Sequence, residues 1–415
     1  GDAVGGRGDG ADARLVARVT ILVLNSGSSS FKFAVYQGTD PGTGAGCEPR
    51  ELLRGQVHGL PEAPVMVWHT EGRDRGEATL AAPADQRRAL REVLEKLRAE
   101  GLIDRVAAVG HRVVHGGSAL VAPHRVDEPA LALMESLAPL APLHQPYCLA
   151  GIRAMSAIAP DVPQVACFDT AFHATQPSLH ATMPLPVSWR DRGIRRYGFH
   201  GLSFEWIAQQ LPALLGEGAD GRVIVAHLGS GASVCGMLGR RSVRTTMGLS
   251  TLDGLVMSTR PGATDIGVAL FALEQLGLDL ATLSRGLYHE SGLLGLSGIS
   301  GDMRVLEASD DPRARFAIDV FCQRAAQEIA ATAVALGGCD AIVFTAGIGE
   351  HSARARAAIT ALLGWMGARI DPAANAAHGP ALHASDSAIG LWMVPTDEER
   401  VIARHTAAIA LGRGR

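Results

Sequence analysis

Twice in this chain a short apolar run breaks into a serine- and glycine-rich turn and resumes as a second apolar run. Leu24–Ser29 and Leu228–Ser233 share the pattern L-x-S-G-x-S. The first lies between Ile21–Asn25 and Phe31–Tyr36, the second between Val223–His227 and Val234–Leu238. Short apolar or alternating segments bounded by turn residues read as strands, so each copy predicts a β-hairpin. Two like hairpins, one opening each half of the chain, are either the trace of a duplicated domain or two unrelated turns.

The segments around the hairpins set the fold class. Gln86–Glu100 has the spacing of an amphipathic helix, Ala107–Val114 is strand-like, and Val165–Phe168 is an apolar run ending at Asp169. Further on, Phe316–Leu336 predicts a long helix and Ala341–Phe344 a strand. Gly347-Ile348-Gly349 then predicts a break before a helix at Ser352–Leu363. Strands that alternate with helices indicate an α/β protein with mixed sheets. Residues 40–84, rich in Gly and Pro, yield no element. At 415 residues the chain exceeds one ordinary core and predicts two domains or three.

Composition excludes several partners. Hydrophobic residues make up 47% and charged ones 19%, a globular balance. A formal net charge of −4 offers no footprint for nucleic acid or an anionic membrane. No run approaches the ~18 apolar residues of a membrane helix. Residues 1–18 lack the apolar stretch of a signal peptide and read as a flexible leader. The six cysteines are widely spaced without a C-x-x-C pair, which favours reduced thiols in an intracellular protein over a disulfide frame or zinc site. Only Lys32 and Lys96 of the 38 basic residues are lysines, so a loop lysine is more informative here than usual.

Three Gly/Ser loops follow apolar strands: Ser26–Ser30, Gly229–Ser233 and Gly347–Gly349. Glycine lets the backbone approach an anion, and turned N–H groups with hydroxyls can cradle phosphate oxygens. None is a Walker A loop, and each alone is equally an ordinary turn. Three in one chain, with Lys32 just past the first, point to phosphate. Asp169 closes a buried strand, where α/β proteins place catalytic groups and metal ligands, and where an Asp also caps turns. His111 and His115 are four apart on strand and turn rather than on a helix, and read as core histidines. His200 in a glycine-flanked loop is a functional candidate. Arg260, in Ser-Thr-Arg-Pro-Gly, can grip phosphate or carboxylate with a planar fork. Glu398 and Glu399, after the strand-like Trp392–Val394, read as the acidic start of a capped helix. The residues alone describe a phosphate-handling α/β enzyme.

Taken in order, from about residue 19 to 411, these segments resemble the acetate kinase (acetokinase) family. Leu24–Lys32 is similar to its N-terminal signature and Gly110–Gly117 to its G-H-R-V-V-H-G-G stretch. Phe168–His173, Tyr197–Gly201, Thr345–Glu350 and Thr396–Glu399 match further motifs. The resemblance implies an actin-like, ribonuclease-H-like duplicated fold of two domains with a central cleft. Domain I would hold residues 19–170 and 397–415, and domain II residues 171–396. It further implies a cytoplasmic homodimer that converts ATP and acetate to ADP and acetyl phosphate with Mg2+, replaceable by Mn2+.

Matched motif by motif, the resemblance implies metal positions at Asn25 and Glu398, and a phosphate side lined by Ser28, Ser30 and Lys32. Arg112 and Arg260 would hold the carboxylate and the transferring phosphoryl group, and His200 would stabilise the transition state. Nucleotide positions fall on His227, Leu228, Gly229, Ser230 and Gly231, on Asp302, Met303 and Arg304, and on Gly347, Ile348, Gly349, Glu350 and His351. Val114, Leu143 and Phe199 match the acyl pocket. Asp169 carries the family's proton donor/acceptor label. A carboxylic acid substrate is already ionised at neutral pH, so the expected role of Asp169 is to organise the metal and Arg260.

The chain departs from the family pattern at Ser230, where an asparagine is usual, and at Thr251, where a pocket proline is usual. It departs again over Gly262–Ile266 and at His351. A propionate or butyrate kinase of the same family, and a non-catalytic actin-like nucleotide-binding protein, are the alternatives.

Overall fold

A computed structural model describes residues 19–27, 30–38, 48–142 and 144–412. The expected leader at 1–18 lies outside the described residues, as do Ser28, Leu143 and Cys47. Residues up to Ala171 and from Asp397 onward form one compact unit, and Phe172–Thr396 the other.

The first unit is built on an eight-stranded sheet. Its strands are β1 (Thr20–Ser26), β2 (Ser30–Gln37), β3 (Arg50–His58), β4 (Val65–Thr70), β5 (Gly76–Thr79), β6 (Val106–Val113), β7 (His124–Arg125) and β8 (Gln164–Phe168), in the spatial order β5-β4-β3-β2-β1-β6-β8-β7. β1 is antiparallel to β2 and parallel to β6, which is parallel to β8. Every residue of β1 and β8 is buried, as expected of strands covered on both faces. The stretch that gave no element from its sequence supplies β3, β4 and β5, a meander extending the sheet.

Helix α1 (Gln86–Ala99) starts where Asp85 accepts the Arg88 N–H at 2.8 Å. It buries Ala89, Leu90, Val93, Leu94 and Leu97 against Leu22, Leu24, Phe31 and Phe33. Helix α2 (Glu128–Ser136) packs on α3 (Gln145–Ile158), and α3 covers β1 and β6 on the same side as α1. The C-terminal helix Glu398–Thr406 covers the opposite side of β1 and β6. Its approach is close because Gly110 of β6 has no side chain.

The second unit holds a five-stranded sheet ordered β11-β10-β9-β12-β13. Its elements are α4 (Gly201–Leu215), β9 (Val223–Leu228), β10 (Ala232–Leu238), β11 (Arg241–Thr245), α5 (Pro312–Leu336), β12 (Ala341–Thr345), α6 (Ala346–His351), α7 (Ala353–Leu362) and β13 (Gly390–Met393). Phe204, Ile207 and Leu211 of α4 pack on Val223, Val225, Cys235, Met237 and Val343. The long helix α5 is fully capped, with Asp311 at its start, Pro312 in its first turn and left-handed Gly337 after its end. One correction concerns Gly347–Gly349: the glycines break nothing but lie within the short helix α6.

The series β3-β2-β1-β6-β8 and the series β11-β10-β9-β12-β13 have the same order and sense, two antiparallel pairings followed by two parallel ones. The strands that flank the two L-x-S-G-x-S segments form the equivalent first hairpins. This is the duplicated ribonuclease-H-like arrangement of the actin-like fold. No helix of the described residues is long and apolar enough to cross a membrane. The cysteines among the described residues are free thiols.

A side chain at Gly110 would overlap the Thr406 hydroxyl and a methyl of Ile402. Gly110→Val should therefore destabilise the first unit by about 1–3 kcal/mol, read from denaturant unfolding. An unchanged midpoint would mean that the C-terminal helix does not need its close seat.

Candidate active site

Three neighbouring parallel strands of the first unit end side by side, and each delivers one polar residue. Asn25 is the penultimate residue of β1, Arg112 the penultimate residue of β6, and Asp169 directly follows β8. The carboxyl ends of parallel strands are where such folds assemble sites. Arg112 Nε donates to Asp169 Oδ1 at 3.0 Å and Nη2 to Oδ2 at 2.5 Å, a bidentate pair. Its Nη1 donates to Asn25 Oδ1 at 3.2 Å. Glu398, in the first turn of the C-terminal helix behind the Asp397 cap, brings Oε2 to 3.9 Å from Arg112 Nε. The bidentate partner of Asp169 is thus Arg112, from its own unit.

Burial raises the pKa of Glu398 to about 7, with Asp169 and Glu399 acting in the same direction and Arg112 against them. Burial alone would lower the Arg112 pKa, but Asp169 and Glu398 more than offset it and hold the guanidinium above its ordinary value. Two carboxylates thus share one cation.

Lys32 is exposed on β2 and lines a cavity of about 460 Å³ with Arg54, Gln56, Trp68, His69, Arg75 and Glu399. Ser30 begins β2, and its carbonyl accepts from Gly27 N–H at 2.8 Å to close the turn. Val114 is buried just beyond β6. His111 is buried with Nε2 2.7 Å from Gln164 Oε1, and desolvation lowers its pKa to about 4. His115 accepts the Gly117 N–H at Nδ1 over 2.9 Å, and burial lowers its pKa to about 4 as well. Both are core histidines.

In the second unit His200 caps α4 with φ 59°, a left-handed conformation uncommon outside glycine. Its Nδ1 lies 2.9 Å from Ser233 Oγ, and its ring stacks on His227 with centroids 4.1 Å apart and planes 15° apart. A Cβ on Gly231 would lie 2.8 Å from Arg260 Nη2 and 3.0 Å from His200 Nε2, so a bare backbone is what lets both side chains converge there. Arg260 Nη1 donates to the Thr251 carbonyl at 2.8 Å. Phe199 is buried, and its carbonyl is 2.9 Å from His173 Nε2.

Three stretches distant in sequence line one cavity of about 480 Å³: Gly229 and Ser230, Asp302–Arg304, and Gly347, Ile348 and His351. Glu350 is turned elsewhere, with Oε1 accepting the Thr396 N–H at 3.0 Å. Gly349 and Leu228 are buried beneath the loops.

The model of the acetokinase family matches residues 20–404. The acetate kinase of Rhodopseudomonas palustris is 44% identical over 397 residues, which span 94% of this chain and 98% of that protein. The chain belongs to the acetokinase family. Solved structures agree. A propionate kinase from Francisella tularensis matches with a TM-score of 0.86 at 34% identity, over 94% of this chain and 99% of that one. The acetate kinase of Porphyromonas gingivalis matches with a TM-score of 0.83 at 32% identity, over 94% and 99%.

Membership of the acetokinase family implies ATP as a substrate and a divalent metal. The donor set fits such a cation. Among the described residues no group of three or more His, Cys, Asp or Glu side chains is placed to hold a metal. Hard cations that keep waters and bind phosphate oxygens need only one or two carboxylates from the protein. Asn25, Asp169 and Glu398 supply oxygen donors.

Sequence reasoning missed three residues. Ser233 had a signal, as the last serine of the second L-x-S-G-x-S. Ser203 had only its place three residues after His200. Arg356, fully buried, donates to the carbonyls of Gly349 and Glu350 at 2.8 Å each and to Asn375 Oδ1 at 2.8 Å. It satisfies the last carbonyls of α6 and so secures the stretch that lines the nucleotide-sized cavity.

The Glu398 shift has a sign that can be tested. Between its ordinary 4.5 and about 7 the folded chain holds a proton that the unfolded chain has lost, so stability falls as pH rises through that window. In metal-free protein, Glu398→Gln should flatten the loss of stability between about pH 5 and about pH 8, measured by denaturant unfolding. An equally steep loss in the variant would place the titration on another group.

Proposed function

We propose that this chain is an acetate kinase that reversibly transfers the ATP γ-phosphoryl group to acetate, giving acetyl phosphate and ADP by direct in-line transfer. The observation that carries the reading is the bidentate clamp of Asp169 on Arg112 at the strand ends of an acetokinase-family chain. The clamp fixes a cation able to face an anionic carboxylate. Acetate is already ionised at neutral pH and needs no base, and both Asp169 oxygens are engaged by Arg112. Asp169 therefore acts by orientation, not by taking a proton.

Phosphoryl transfer is catalysed mainly by positioning and charge neutralisation. Arg112 and Arg260 hold the carboxylate and the transferring group, His200 stabilises the charge that develops, and Ser28, Ser30 and Lys32 attend the phosphate side. The stretches His227–Gly231, Asp302–Arg304 and Gly347–His351 hold the nucleotide. By their motif positions, Val114, Leu143 and Phe199 are assigned to the acyl methyl. Asn25 and Glu398, with Asp169 beside them, would hold Mg2+, which neutralises phosphate charge when bound; Mn2+ satisfies the same oxygen donors.

Thr251, standing where the family has proline, supports propionate as a second substrate. A methylene in an apolar pocket is worth only about 1–3 kcal/mol, so the two acids should differ modestly. The protein is cytoplasmic in this reading and works as a homodimer. Its partner is a second copy, seated on the apolar surface of helix Gly267–Glu274 and its flanks, where Ile266, Leu270, Phe271, Leu276 and Leu280 are exposed. Light scattering should give a dimer, and Phe271→Glu a monomer; a wild-type monomer would remove this part.

Trapping acyl phosphate with hydroxylamine tests the activity, using ATP, Mg2+ and a panel of acids. Acetate should give the highest kcat/KM, with propionate next. Lys32→Ala and His200→Ala should each lower kcat about a hundred- to thousandfold in folded protein. Butyrate as the best substrate would overturn the acetate reading. Tight nucleotide binding without turnover of any acid would make the chain a nucleotide-binding switch.

A further inference from the structure

The two stacked histidines of the second unit are anchored alike, and the anchors differ in what lies behind them. His200 Nδ1 meets Ser233 Oγ at 2.9 Å, and His227 Nδ1 meets Ser203 Oγ at 2.8 Å. Behind Ser233 lies the β9–β10 hairpin. Behind Ser203, which is wholly buried, lies a second hydroxyl: Thr396 Oγ1 donates to Ser203 Oγ at 2.8 Å. The Thr396 N–H in turn donates to Glu350 Oε1 at 3.0 Å. Glu350 belongs to α6, whose last carbonyls Arg356 holds. A line of hydrogen bonds thus runs from His227 through two hydroxyls to the helix that borders the nucleotide-sized cavity.

We propose that Ser203 and Thr396 are positioning residues that fix His227 as the Nε2–H tautomer and hold its ring flat against His200; this rests on the kinase reading given above. A hydroxyl has one hydrogen to give. Thr396 donates to Ser203 Oγ, and in the proposed relay the Ser203 hydrogen is directed at His227 Nδ1, which places the ring proton of His227 on Nε2. An imidazole that accepts at Nδ1 is uncharged. At 4.1 Å, an uncharged ring presents its π face to His200, whereas an imidazolium there would repel any positive charge His200 gains. The relay therefore keeps the surface under His200 neutral and fixed in angle as negative charge builds on the transferring group. Thr396 suits the task because it is the last residue of the second unit, two before Glu398. Its place in the relay ties the end of that unit to the histidine pair.

Four variants of the full-length protein test this: Ser203→Ala, Thr396→Val, Thr396→Ser and His200→Ala. Ser203→Ala and Thr396→Val should lower kcat about ten- to hundredfold with KM for acetate unchanged, because the acid is held elsewhere. Thr396→Ser, which keeps the hydroxyl, should recover nearly all of the loss. Nitrogen-15 spectra of histidine-labelled protein should show His227 protonated at Nε2 in the wild type and in Thr396→Ser. Ser203→Ala and Thr396→Val should give a tautomer mixture. A lowered melting temperature with kcat and tautomer unchanged would make the hydroxyls merely structural and overturn the proposal. Should Ser203→Ala fail to fold, Thr396→Val, close in shape to the original, still decides. Unchanged turnover in His200→Ala would sink the kinase reading itself. Collapse in His200→Ala with silent Ser203 and Thr396 variants would sink the relay alone.

Discussion

Arg112 lies where three parallel strands stop, and its charge is what makes the burial of Asp169 tolerable. A carboxylate at 1% exposure without a cation would cost several kcal/mol or take up a proton. Both of its oxygens are engaged by the same guanidinium, which fixes the pair in geometry. Much of the first unit can be read as what this pair demands. The register of β6 on β8 sets Arg112 beside Cys167 and so within reach of Asp169 just beyond that strand. Fully buried β1 puts Asn25 on the other side of the guanidinium. The C-terminal helix then adds Glu398, a second carboxylate beside the same guanidinium. That excess of negative charge makes the place receptive to a divalent ion.

The second unit solves its positioning problem by different means. His200, Arg260 and His227 are set by a glycine too small to obstruct them, by serine hydroxyls and by a left-handed backbone at His200. Backbone strain of this kind costs of order 1–3 kcal/mol and persists only where the surroundings enforce it. Here the enforcing elements are the start of α4 and the ring stacked upon His227. The arginine that secures α6 is buried among carbonyl oxygens and an amide, so it acts as a brace of hydrogen bonds.

How much of this the sequence discloses follows from the physics of each piece. The two hairpins are legible because a central strand buried on both faces is written as an uninterrupted apolar run, and its turn needs glycine and serine. The strands β3 to β5 are not, because an edge meander is covered unevenly. Along Arg50–His58 only Leu53 and Val57 are buried, a spacing of four that resembles a helix as much as a strand. Helix α6 is hidden for another reason: its glycines signal a break, while the bond from Arg356 and the left-handed start at Ala346 come from distant or unmarked residues. The motifs brought Arg112, Asp169, Asn25 and Glu398 to notice, but strand order alone shows which of them meet. Ser203 carries no local signature, and Thr396 only its place at the head of a motif, since a hydroxyl reveals its role only through its partners.

The first unit is discontinuous, interrupted after Ala171 and resumed at Asp397, whereas the second is a single stretch of chain. During synthesis the second unit is therefore complete while the first still lacks the helix that covers β1, β6 and the groove at Gly110. Domains tend to fold as their chains become available. The sheet that appears first must then wait, one apolar face uncovered, for a segment made after more than two hundred intervening residues. The same segment brings Glu398, so that the unit's last structural seal and its second site carboxylate arrive together. A nascent chain cut short just before that helix would carry a complete second unit and a first unit whose sheet is still open and aggregation-prone.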